Sequence, residues 1–145
     1  MSHHAATSSG ALKAIIEAAG LGVAAYRDAI PEDHATPVVT IDENVATSQE
    51  RHGDTGDPDG HAGESEQLFV HLWEEWRTAT GKAGERYELV AGLKRALRTA
   101  PPFAYGPEDS PRRVYGLRID GHVRLVEDTD NVVHHTITVT MRRDA

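Results

Sequence analysis

The sequence predicts an α+β domain in which a mainly antiparallel sheet with a long C-terminal hairpin is packed by two helices. Three patterns predict it. Apolar residues recur at helical spacing in two separated stretches, 12–19 and 87–97. Strict alternation of apolar and polar residues dominates the last third. Between the helices lie β-branched or aromatic runs at 37–41 and 67–76.

The elements follow in order. Residues 1–9 read as a flexible, polar N-terminus, and one domain fills 10–145. Ser8-Ser9 offers a helix cap, followed by Leu12, Ile15, Ile16 and Ala19; Gly20 takes the left-handed position that ends the helix. Each glycine of Gly20-Leu21-Gly22 would cost about 1 kcal/mol inside a helix, so Val23–Asp28 is read as a short strand instead. Pro37 opens the strand Val38-Val39-Thr40-Ile41. Residues 46–65 hold four glycines, one proline and no large apolar side chain, which predicts an acidic loop. In Gln67–Trp76, Leu68, Val70 and Leu72 share one face and Phe69, His71 and Trp73 the other, which predicts a central strand covered on both sides. Tyr87, Val90, Ala91, Leu93, Lys94 and Leu97 form the second helix, with Lys94, Arg95 and Arg98 near its negative end. Pro101-Pro102 stops it, and 101–111, with four prolines, reads as a rigid connection.

The C-terminal hairpin has two possible turns. A tight turn at Asp120-Gly121 would pair Ile119 with His122 and mix faces. A turn at Asp128-Thr129-Asp130 pairs residues whose numbers sum to 258: Leu125 with Val133, Ile119 with Val139, Leu117 with Met141. The second is expected, with 113–127 as one strand bent or bulged at Gly121 and an apolar face of Tyr115, Leu117, Ile119, Val123 and Leu125.

Composition narrows the function. The chain has 145 residues, no cysteine and a formal charge of −8. That excludes a disulfide framework, a thiolate metal site and a cysteine nucleophile. No apolar run reaches the ~18 residues of a membrane span, and an acidic balance does not suit gripping nucleic acid. The charge is polarised. Residues 42–66 carry eight acids and one base, whereas 112–124 carry four arginines against Asp120. Asp54, Asp57 and Asp59 on one side, and Arg112, Arg113 and Arg118 on the other, are therefore candidate partners across an assembly interface.

No residue set points to catalysis. There is no GxSxG, SxxK, HExxH or glycine-rich phosphate loop. Glu74 and Glu75 lie on opposite faces of a strand, as do His134 and His135, so neither pair can act at one point. His71 could meet one of the two histidines from a neighbouring strand. An EF-hand alignment places Thr55, Asp57, Asp59, Gly60 and Glu66 at positions 1, 3, 5, 6 and 12. Threonine is a poor first ligand and no helix flanks the loop, so a solvated acidic segment is preferred. The expectation is no enzyme, no cofactor and no metal. Trp73 and Trp76 are read as core or interface packing rather than as a stacking platform, for want of a basic groove.

The order of elements resembles the lambda-like tail terminators, or tail-completion proteins, of tailed phages and tail-like particles. The residues that carry the resemblance are Pro37–Ile41, Leu68–Trp73, the helix Glu88–Leu97, and the hairpin strands Arg124–Asp128 and Val133–Val139. It spans residues 10–142. It implies a structural virion protein of the tail or neck, assembled in the host cytoplasm as a homo-hexameric ring. Such a ring caps the tail tube, ends its polymerisation and meets the head–tail connector, and DNA crosses its lumen without specific binding. The alternatives are a connector or stopper subunit of the same particle, or a small metal-binding module.

Overall fold

The computed structural model describes residues 5–28, 37–51, 62–76, 87–127 and 131–144, with backbone alone for 43–51, 62–63 and 144. The elements are α1 (Ser8–Ala18), β1 (Ala24–Arg27), β2 (Val38–Arg51), β3 (Ala62–Glu75), α2 (Tyr87–Arg98), β4 (Phe103–Tyr105), β5 (Arg112–Glu127) and β6 (Val132–Asp144). The six strands form one sheet in the order β1-β2-β3-β6-β5-β4. Among the described strands only the β1–β2 pair is parallel. The α+β class, the long hairpin and the two helices are as the sequence predicts.

Both helices lie on one face. Leu12 and Ile16 of α1 and Leu89, Leu93 and Leu97 of α2 close over Val39, Ile41, Leu68, Val70, Leu72, Ile137, Val139 and Met141. Alternation in β3 is followed strictly, since Leu68, Val70 and Leu72 are fully buried while Phe69, His71 and Trp73 are half-buried. Among the described residues both helices lie over the first face of β3, and none lies over the second. A Cβ at Gly92 would meet Leu21 Cδ2 at 2.8 Å, so the end of the Leu21 side chain would have to shift to admit one.

Several expectations change. The N-cap of α1 is Thr7, whose extended backbone lets its hydroxyl accept from Gly10 N–H at 3.1 Å. Ser8 and Ser9 are buried inside the helix, and Ala5 O accepts from Gly106 N–H, so the N-terminal segment is held from Ala5 onward. Gly20 takes φ +67°, as its position predicts. Residues 46–51 and 62–65 are strand rather than loop. Low β-propensity is overridden there because these segments pair with each other, and residues 63–66 pair again with the end of β6. What remains between the two strands, 52–61, lies outside the described residues. The connection 101–111 contains β4, paired with Arg112–Val114.

The hairpin register is half as expected. Ile119 pairs with Val139 and Leu117 with Met141, but Leu125 pairs with His134 and Val126 with Val133. Asp120 is the extra residue of a bulge, and Tyr115 of another. A bulge shifts the pairing by one and turns every following side chain over. Leu117 and Ile119 therefore pack against the core, whereas Val123 and Leu125 emerge on the other face, 55% and 52% exposed.

Candidate functional site

Three polar assemblies and one apolar strip stand out. The first lies under the N-terminus of α1. Glu64 and Glu66 continue the inward face of β3 past Leu68, and Arg143 continues that of β6 past Met141. The Arg143 guanidinium donates to Glu66 Oε2 at 2.8 Å, to Glu64 Oε2 at 3.0 and 3.1 Å, and to the Tyr105 hydroxyl. Ser8 Oγ donates to Glu66 Oε1 at 3.1 Å, and Arg112 reaches Glu64 at 3.2 Å. Glu66 is fully buried, and paired charge is what makes that tolerable. Burial pushes the Tyr105 hydroxyl above its ordinary pKa against the opposing pull of Arg143.

The second assembly lies on the open face. His71 Nε2 bonds Asp42 Oδ2 at 2.8 Å, and His71 Nδ1 meets His134 Nε2 at 2.7 Å. The direction of the His71–His134 bond is set by the tautomers of the two rings. The Thr136 hydroxyl is 3.3 Å from His71 Nδ1 and 3.2 Å from His134 Nε2. Trp73 stacks on His134 at 3.7 Å and donates to Thr40 Oγ1 at 3.1 Å. Burial, then the nearby His71 and His135, hold His134 below the ordinary histidine pKa, with Asp42 opposing.

The third assembly lies on the helix side, behind the second. His135 and Glu74 are fully buried with Nε2 and Oε2 3.8 Å apart, and His122 Nε2 meets His135 Nδ1 at 2.8 Å. Burial, with Lys94 of α2 and His135 adding to it, lowers the His122 pKa. His134 and His135 do face opposite ways, and Glu74 is buried where Glu75 is exposed, as strand geometry requires. No group of three or more His, Asp or Glu converges on a point that would hold a metal among the described residues.

Of the residues singled out for an interface, Arg112 pairs with Glu64, Arg118 Nε with Asp120 at 2.6 Å, and Arg113 makes no ion pair among the described residues. Asp54, Asp57 and Asp59 lie outside those residues. The Thr140 hydroxyl and, less strongly, Arg118 hold the Asp120 carboxyl below its usual pKa. Two features were missed by the sequence reading. Arg143 sits at inward parity with Val139 and Met141, and that parity alone would have placed it beside Glu64 and Glu66. The strip Val123–Leu125 was read as core because the bulge at Asp120 was not carried through to the pairing beyond it.

No family model and no curated protein matches the chain. A solved structure does. A chain in the virion of a native gene transfer agent particle superposes with a TM-score of 0.55 at 16% identity, covering 95% of this chain and 87% of that one. The two share a fold along nearly their whole lengths. No helix among the described residues is long and apolar enough to cross a membrane.

Proposed function

We propose that the chain is a structural subunit of a phage-like virion. In this reading it assembles into a homo-hexameric ring in the tail or neck, caps the tail tube, ends its polymerisation and joins the tail to the head connector. The observation that carries the reading is the near full-length likeness in fold to a chain of a gene transfer agent virion. Three features support it. The net charge of −8 suits a passage through which DNA slides without being held. The polar assemblies are bound up in ion pairs and hydrogen bonds within the subunit. The sheet also leaves long strand edges that a neighbour in a ring would cover. In this reading the subunit does no catalysis and needs no cofactor.

Removing the gene from a particle-producing host distinguishes the roles. Loss of a terminator leaves tubes of uncontrolled length in electron micrographs. Tails of normal length that fail to join heads would instead assign a connector or stopper. Particles unchanged in length, joining and yield would overturn the proposal.

A further inference from the structure

The sheet ends in two half-edges that complement each other. At one end, β1 covers only Val38–Ile41 of β2, and no described strand borders Asp42–Arg51. At the other end, β4 covers only Arg112–Val114 of β5, and no described strand borders Tyr115–Glu127. The ladder fixes their heights. Ala24 is level with Val38, Trp73, His134 and Leu125, and Tyr26 with Thr40, His71, Thr136 and Val123. β4 is level with the opposite half, where Val114 aligns with Arg143 and Glu64. One end of the sheet thus projects at the height where the other recedes. The recess beside β5 is where Val123 and Leu125 stand exposed.

We infer that neighbouring copies join edge to edge, with β1 of one copy docking antiparallel along the Val123–Leu125 stretch of β5 in the next. This rests on the reading that the chain self-assembles, and it names the surface used. β1 runs parallel to β2 and so opposite to β5, which means that copies side by side in the same orientation present the two strands antiparallel without a flip. The same contact sets β4 of the receiving copy beside the free half of β2 in the donor. Strand direction selects this head-to-tail mode, because a two-fold joining of two β5 edges would instead set β4 of the other copy parallel against that stretch, and parallel pairing is the less stable. Ala24 and Tyr26 would cover Leu125 and Val123, giving main-chain ladder bonds to an open edge and burying two apolar side chains. A head-to-tail contact repeated through a rotation that divides a full turn closes a ring; any other rotation gives an open filament.

The chain has no cysteine, so engineered pairs report this contact alone. Ala24→Cys is combined in the full chain with Val123→Cys, Leu125→Cys or Glu127→Cys, which together span the recess, and with Thr138→Cys inside the sheet as control. Mild oxidation of one recess pair gives a ladder of covalent multimers, and the control gives none, because a disulfide needs Cα atoms within about 7 Å. A second variant, Leu125→Asp, keeps the melting transition of the isolated subunit but loses the oligomer in native mass spectrometry. Oligomers in which no recess pair cross-links, or which survive Leu125→Asp, overturn this docking and leave the ring reading standing. A chain that stays monomeric at every concentration overturns both.

Discussion

Replacing Arg143 by methionine tests whether the buried charge cluster holds the end of the sheet together. Methionine keeps most of the volume but removes the donors that reach Glu66, Glu64 and Tyr105. The side chains of Arg143 and Glu66 are 8% and 1% exposed, so solvent cannot take over the lost partner. Among the described residues Glu66 would keep only Ser8 as a hydrogen-bond donor, and Glu64 only Arg112. Breaking a buried pair on one side costs about 3–5 kcal/mol, a large part of a total of about 5–15. For a chain of this size that is a fall of roughly 10–20 °C in Tm. Thermal and urea unfolding followed by circular dichroism measure it. The double variant Glu66→Leu/Arg143→Met should recover most of the loss, because no uncompensated carboxylate is then buried there. A single variant within about 1 kcal/mol of the parent would refute the reasoning, as would a double variant less stable than the single one.

Three further outcomes follow from the same structure. Leu68→Asp and Ile137→Asp each place an unpaired charge on a fully buried face and should abolish cooperative folding; a soluble variant with a sharp melt would show the faces to be misassigned. His122 and His134 bind protons more weakly folded than unfolded, so their contribution is complete above the unfolded pKa near 6.5 and is lost as pH falls through the lower folded values. Stability should therefore drop from pH 7.5 to 5, and His122→Asn should flatten that slope, whereas a parent equally stable at both pH values contradicts it. Asp54, Asp57 and Asp59 changed together to Asn should reduce the salt sensitivity of self-association in sedimentation between about 50 and 500 mM salt; an unchanged response removes those acids from the interface.

The inward face of β3 was legible because Leu68, Val70 and Leu72 recur at every second residue within a short run rich in aromatic and aliphatic side chains. The helix ends were legible from Gly20 and Pro101-Pro102. The extension of β2 and β3 was not, because Ala46–Arg51 and Ala62–Ser65 have no strand-forming composition and owe their state to ladder bonds between distant segments. The hairpin shows a sharper lesson. A bulge near Gly121 and a single register were both read from the sequence, and the two are incompatible, since one extra residue displaces all later pairs. Carrying the bulge through would have moved Val123 and Leu125 from the core to the surface, where they mark the proposed contact. The Asp42–His71–His134 chain was half legible. Strand parity allowed His71 to meet one of the adjacent histidines, but which one depends on the β3–β6 register.

Self-assembly into a closed ring is the claim on which the functional reading turns, and native mass spectrometry of the full chain at near-physiological salt tests it most directly. A dominant species of six copies is expected, with smaller oligomers only as dissociation products at raised salt. A chain of 145 residues that remains a monomer across the accessible concentration range would contradict it.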